Sequence, residues 1–134
     1  MQKRIISKMG LVAAAAALLV GSTMGSTAQA ATNARYIGYG YANTKDGVRC
    51  VQHSLNYIFS HMNIYHRQIA EDGLFGPETE EAIRYFQTHD TFDETVPDGV
   101  VGPKTGDGLQ VWGDPNWNGG WSRGYCYWHL PTTW

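Results

Sequence analysis

The chain has 134 residues and a formal net charge of −2, from ten basic and twelve acidic side chains. Three of the basic residues, Lys3, Arg4 and Lys8, lie in an N-terminal leader, so the remainder holds seven against twelve, a net charge of −5. Weak acidity argues against charge-driven binding to nucleic acid, anionic lipid or anionic wall polymer, and leaves local, specific recognition.

Residues 1–30 read as a signal peptide. The basic start is followed by an apolar run over 11–20 and by the small-x-small tripeptide Ala28-Gln29-Ala30. The apolar run falls short of the roughly 20 residues a membrane span needs. Cleavage after Ala30 leaves a secreted chain of 104 residues, enough for one domain with a modest core. No Cys sits at the cleavage site to carry a lipid anchor, and no membrane contact is expected after cleavage.

Residues 31–45 form an N-terminal arm with Gly, Asn and three tyrosines but no helical period. The partial alternation of Tyr36, Ile37, Tyr39 and Tyr41 suggests a short strand. The first helix opens at Asp46-Gly47, with Val48, Val51, Leu55, Ile58 and Met62 in an apolar stripe of about four turns. Gln52, His53 and Asn56 fall off that stripe, and Cys50, Ser54 and Tyr57 form a second line. Residues 63–71 make a connection of unsettled form, with His61 and His66 nearby.

The stretch 72–87, DGLFGPETEEAIRYFQ, carries the organising motif. The turn Asp72-Gly73 leads to Gly76-Pro77, and Pro77 suits a first helical position because its missing N–H would be unpaired there anyway. Glu78, Glu80 and Glu81 favour the positive end of the helix dipole. Thr79, Ala82, Ile83 and Phe86 recur at i, i+3, i+4 and i+7, one helical face. The plan repeats 26 residues later in DGVVGPKTGDGLQVW, placing Asp98-Gly99 and Gly102-Pro103 at the equivalent turn positions. Thr105, Gly108, Leu109 and Trp112 occupy the equivalent face. Between the copies, 88–97 is polar and acidic, with Phe92 and Val96 as a buried-looking pair.

Asp-Gly-x-Phe-Gly-Pro-x-Thr, then Ala-Ile and Phe-Gln, then Asp-Gly-Val-Val-Gly-Pro-Lys-Thr, resembles the small three-helix peptidoglycan-binding domain of secreted bacterial cell-wall hydrolases. The run GVRCVQHSLN over 47–56 matches the segment that announces that family's first helix, and the resemblance covers about 47–110. It implies noncovalent binding of peptidoglycan, through stem peptide or glycan, with no catalysis, cofactor or metal. Gly106 departs from the family, which commonly has an aromatic there. With Gly108 it weakens the third helix by up to roughly 1 kcal/mol per glycine relative to Ala. The helix therefore needs a cover, and the tail is the candidate.

Cys50 and Cys126 are the two cysteines of a chain bound for an oxidising space, and the simplest reading joins them in one disulfide. The tail beyond Trp112 holds Trp117, Trp121, Tyr125, Tyr127, Trp128 and Trp134. Exposed rings stack on sugars through their apolar faces, whereas buried ones extend a core. Trp112 and Tyr125 are expected to be mostly buried and Trp117 or Trp121 more exposed. Trp117, Trp121, Trp128 and Tyr57 are the candidate ligand contacts.

Other chemistry is weaker. Asp72 and Asp98 read as turn caps rather than an acid pair, because they recur in one context. Glu78 and Glu81 share one helical turn instead of facing each other across a cleft. Cys50 with His53 has nucleophile-pair spacing, but the disulfide takes the thiol. The five histidines form no H-E-x-x-H.

The sequence thus predicts a mainly α, compact three-helix bundle with two DGxxGP turns and an irregular, aromatic, disulfide-anchored tail. Leu74, Phe75, Ala82 and Phe86 are its core builders. The parts are 1–30 signal peptide, 31–45 arm, 46–112 domain and 113–134 extension packed on the domain. A monomer that binds peptidoglycan is expected at the cell wall. Alternatives are a secreted module that recruits or restrains a wall enzyme, and a small peptidoglycan hydrolase.

Overall fold

A computed structural model describes residues 36–64, 66–90, 96–119 and 123–134. The signal-peptide, Phe92 and Trp121 readings lie outside the described residues. The elements run α1 (Lys45–His61), α2 (Pro77–His89), α3 (Pro103–Trp112), the short α4 (Pro115–Asn118) and a 3-10 turn (Tyr125–Trp128).

Each helix starts where local chemistry directs. The Thr44 side chain caps α1 by accepting the Gly47 N–H at 3.1 Å, and Asp46 lies in the first turn. Gly76 and Gly102 precede α2 and α3, with Pro77 and Pro103 opening them. Val48, Val51, Leu55 and Ile58 of α1 are fully buried with Ile83 and Phe86 of α2 and Leu109 of α3. Burial of such side chains contributes roughly 1.5–3 kcal/mol each, which is what holds three short helices together.

The tail is built into this body. Cys126 is bonded to Cys50, closing a span of 76 residues, and Leu130 is fully buried. Pro131 lies directly on Gly106, where any side chain would overlap its carbonyl oxygen. Buried Asp107 accepts the Thr133 N–H at 2.8 Å. The glycine that weakens α3 by propensity is thus the opening through which the tail docks. Buried Asn118 of α4 donates to Leu109 O at 2.9 Å and Gln110 O at 3.1 Å, satisfying carbonyls at the end of α3.

Four readings of the sequence are corrected, and two buried polar residues join the core. Leu74 is 68% exposed, because the second residue after Asp72 points out of the turn and only Phe75 leans on the core. Val96 is 74% exposed beside the second turn instead of being buried. Gln52 and Asn56 are buried despite lying off the apolar stripe, because α1 is covered on a second side by residues 69–79. The arm forms no strand beyond a single bridge between Ile37 and Val101 among the described residues. Tyr125 is exposed, since its turn packs through neighbouring Cys126 and Tyr127.

Candidate functional site

The molecule contains the same corner twice. In the first, Asp72 Oδ1 accepts the Leu74 N–H at 2.9 Å, and Gly73 takes a positive φ of 73° that favours glycine. Buried Gln52 of α1 locks this turn from behind. Its Oε1 accepts the Gly73 N–H at 2.8 Å, while its Nε2 donates to Asp72 Oδ1 (3.0 Å), Leu74 O (3.1 Å) and Thr79 Oγ1 (3.1 Å).

The second corner reproduces this bond for bond. Asp98 Oδ1 accepts from Val100 N–H at 2.8 Å, and Gly99 has φ 77°. Buried Gln87 of α2 accepts the Gly99 N–H at 2.9 Å and donates to Asp98 Oδ1 (3.0 Å), Val100 O (2.9 Å) and Thr105 Oγ1 (3.1 Å). The leading helix of each pair thus supplies one glutamine that fixes the entry to the next helix. Sequence reasoning missed both roles. The available signal was a glutamine following an apolar residue, Val51 or Phe86, upstream of each Asp-Gly.

A groove opens at each corner. The first, about 240 Å³, is lined by Gln52, Asp72, Phe75, Pro77 and Glu78 among others. The second, about 370 Å³, is lined by Gln87, Asp98, Pro103, Lys104 and Tyr36 of the arm. The equivalent residues Glu78 and Lys104 give the two grooves opposite charge at one rim. The Leu74 N–H bond, followed by the Gln52 amide, holds the Asp72 carboxyl below its ordinary pKa.

The tail-side rings are arranged differently. Trp117 stacks on His53 with centroids 3.9 Å apart, Arg49 lies 5.6 Å over it, and Tyr125 meets it edge-on at 6.0 Å. His53 places Nδ1 2.9 Å from Glu71 and Nε2 3.0 Å from Asp114, so one imidazole links α1, the approach to the first corner and the tail. Burial pushes the Asp114 carboxyl up, but hydrogen bonds from His53 and the Asn116 N–H outweigh it and leave it lowered. The Tyr125 hydroxyl is raised, first by its bond to Asp46 and then by burial.

Of the candidate contacts, Trp117 and Tyr57 sit along one side of α1, Tyr57 stacking on His61 at 4.0 Å. Trp128 stands apart at 55% exposure, with Arg123 5.8 Å over its ring and Tyr127 edge-on at 5.0 Å. Among the described residues no ring contact joins Trp128 to Trp117 or Tyr57. None of the His, Cys, Asp and Glu side chains described there gather in groups of three or more able to hold a metal ion.

Three helices joined through two glutamine-locked corners make up a small helical body. Residues 44–109 match the family model described as "Putative peptidoglycan binding domain". The match takes in α1, both corners and most of α3, and leaves the tail and all but the last two residues of the arm outside it. No curated protein and no solved structure matches the chain significantly.

Proposed function

We propose that this chain is a secreted, noncatalytic, monomeric module that binds bacterial cell-wall peptidoglycan. The observation that carries the reading is the family match laid over the twin-corner body. The leader in 1–30 and the Cys50–Cys126 disulfide support export to an oxidising space. Residues 46–112 are the binding body, 31–45 an arm and 113–134 an extension. Trp117, Trp121, Trp128 and Tyr57 are its candidate contacts, with Trp128, at 55% exposure, the most open of those among the described residues.

The test is co-sedimentation of the purified chain with purified sacculi against a cellulose control. Saturable pelleting above the control supports the reading, and release of soluble muropeptides points to a hydrolase instead. Trp128→Ala is expected to lower the affinity by about tenfold with an unchanged melting temperature.

A second reading is a module that recruits or restrains a secreted wall enzyme. It is favoured by the half-exposed Tyr125 and Trp128 beside Arg123, a composition enriched at protein interfaces. Failure to pellet above cellulose decides for it.

A further inference from the structure

Residues 36–43 of the N-terminal arm lie outside the family match, yet they are fixed to the body at several points. Ile37 is 3% exposed and exchanges both backbone bonds with Val101, at 3.1 Å and 2.8 Å. Asn43 closes the following turn from both sides, accepting the Gly38 N–H at 2.9 Å and donating to Gly38 O at 3.0 Å. Around these anchors three rings stand half in solvent: Tyr36 (47%), Tyr39 (53%) and Tyr41 (46%). An anchored backbone under exposed rings is the reverse of what burial alone favours.

The rings are also ordered relative to the two grooves. Tyr36 lines the second groove, lying against Gly102, where a methyl group would come within 2.7 Å of its ring. Tyr36 and Tyr41 are stacked, with centroids 5.5 Å apart and planes 18° apart. Tyr39 meets Phe75, which lines the first groove, edge-on at 5.1 Å. The arm thus runs an aromatic ridge from one corner to the other.

We infer that this ridge, Tyr36, Tyr39 and Tyr41 with Phe75, is a stacking platform for the glycan strand of peptidoglycan; the inference rests on the wall-binding reading. Glycan is favoured over stem peptide by what the arm has left to offer. The amides of Ile37, Gly38, Tyr41 and Asn43 are already bonded within the fold, so the arm gives an added peptide no continuous edge to pair with. It presents flat apolar faces with hydroxyl rims, which fit the C–H faces and hydroxyls of N-acetylated hexosamines. The ring positions are set before binding, so little ordering cost falls on the complex.

The test uses the purified chain, its triple variant Tyr36→Ala/Tyr39→Ala/Tyr41→Ala, and the single variant Tyr39→Trp. Each is titrated with a soluble N-acetylglucosamine tetramer, followed by aromatic fluorescence, and pelleted with purified sacculi. The triple variant is expected to lose about tenfold or more in affinity for both probes at an unchanged melting temperature, with Tyr39→Trp retaining affinity. If the parent pellets with sacculi and the triple variant does so within about twofold, the platform is overturned and the wall-binding reading stands. If the parent itself does not pellet, both fall. Competition of sacculus binding by free stem peptide but not by the tetramer overturns the choice of glycan.

Discussion

The two corners share every bond of their turns and differ in the helices that leave them. Where α2 carries Glu80 and Ala82, α3 carries Gly106 and Gly108 at the equivalent places. At the first corner the outgoing helix is an independent amphipathic element, with Glu80 paired to Arg84 across its surface at 2.8 Å. At the second, the glycines admit foreign atoms: Gly106 receives the Pro131 carbonyl and Gly108 faces Phe86 and Asp90. The repeated positions specify a geometry, whereas the unrepeated ones record what each corner has to accommodate.

That difference can be broken from the tail. Reducing the disulfide, or Cys50→Ser with Cys126→Ser, frees the segment that covers α3 and is expected to cost about 2–4 kcal/mol. In chemical denaturation this should appear as a lowered midpoint, with proteolysis beginning in 123–134 while the first corner stays protected. Gly106→Ala attacks the same contact from the other side. The gain in helix propensity of up to about 1 kcal/mol is opposed by eviction of Pro131, for an expected net loss of about 1–3 kcal/mol. Glu80→Ala at the equivalent site of α2 should change stability by less than about 1 kcal/mol, as is usual for an exposed ion pair.

The shared part of the corners gives a sharper expectation. Gln52→Ala and Gln87→Ala each strip a buried turn of its partners and should each cost about 1–3 kcal/mol, the two losses agreeing within about 1 kcal/mol. Unequal losses in thermal unfolding would mean that the corners are alike in geometry only. The smallest effect concerns acid. The folded-state pKa of Asp72 lies below its ordinary 3.8, so its contribution is complete above about pH 4 and drains away as pH falls through the lowered folded value. Asp72→Asn should flatten the acid side of the stability profile by lowering stability at neutral pH while leaving the acid end nearly unchanged, as read from denaturation midpoints across that range.

Sequence alone carried the parts of the fold that rest on local chemistry. Asp-Gly and Gly-Pro gave both corners, helical spacing gave the α1 stripe, and two cysteines after a signal-peptide pattern gave the bridge. The need of Gly106 for a cover pointed at the tail, and Pro131 supplies it. What stayed hidden depends on contacts distant in the chain. Gln52 and Gln87 are ordinary polar residues until the chain returns 21 and 12 residues later with amides to bond. Leu74 looked like core by composition, but the turn it belongs to faces it outward. The partial alternation of the arm tyrosines pointed to a strand rather than a ridge, because their order comes from the bridge to Val101 and the rings of Phe75 and one another.

The central claim, that a doubly cornered helical body holds wall polymer without cutting it, is tested most directly by a binding isotherm of the purified chain on sacculi, with the supernatant assayed for sugar and peptide. The account predicts uptake that saturates while the supernatant stays free of wall fragments. Uptake that rises linearly and equals that on cellulose, or fragments accumulating with time, would contradict it.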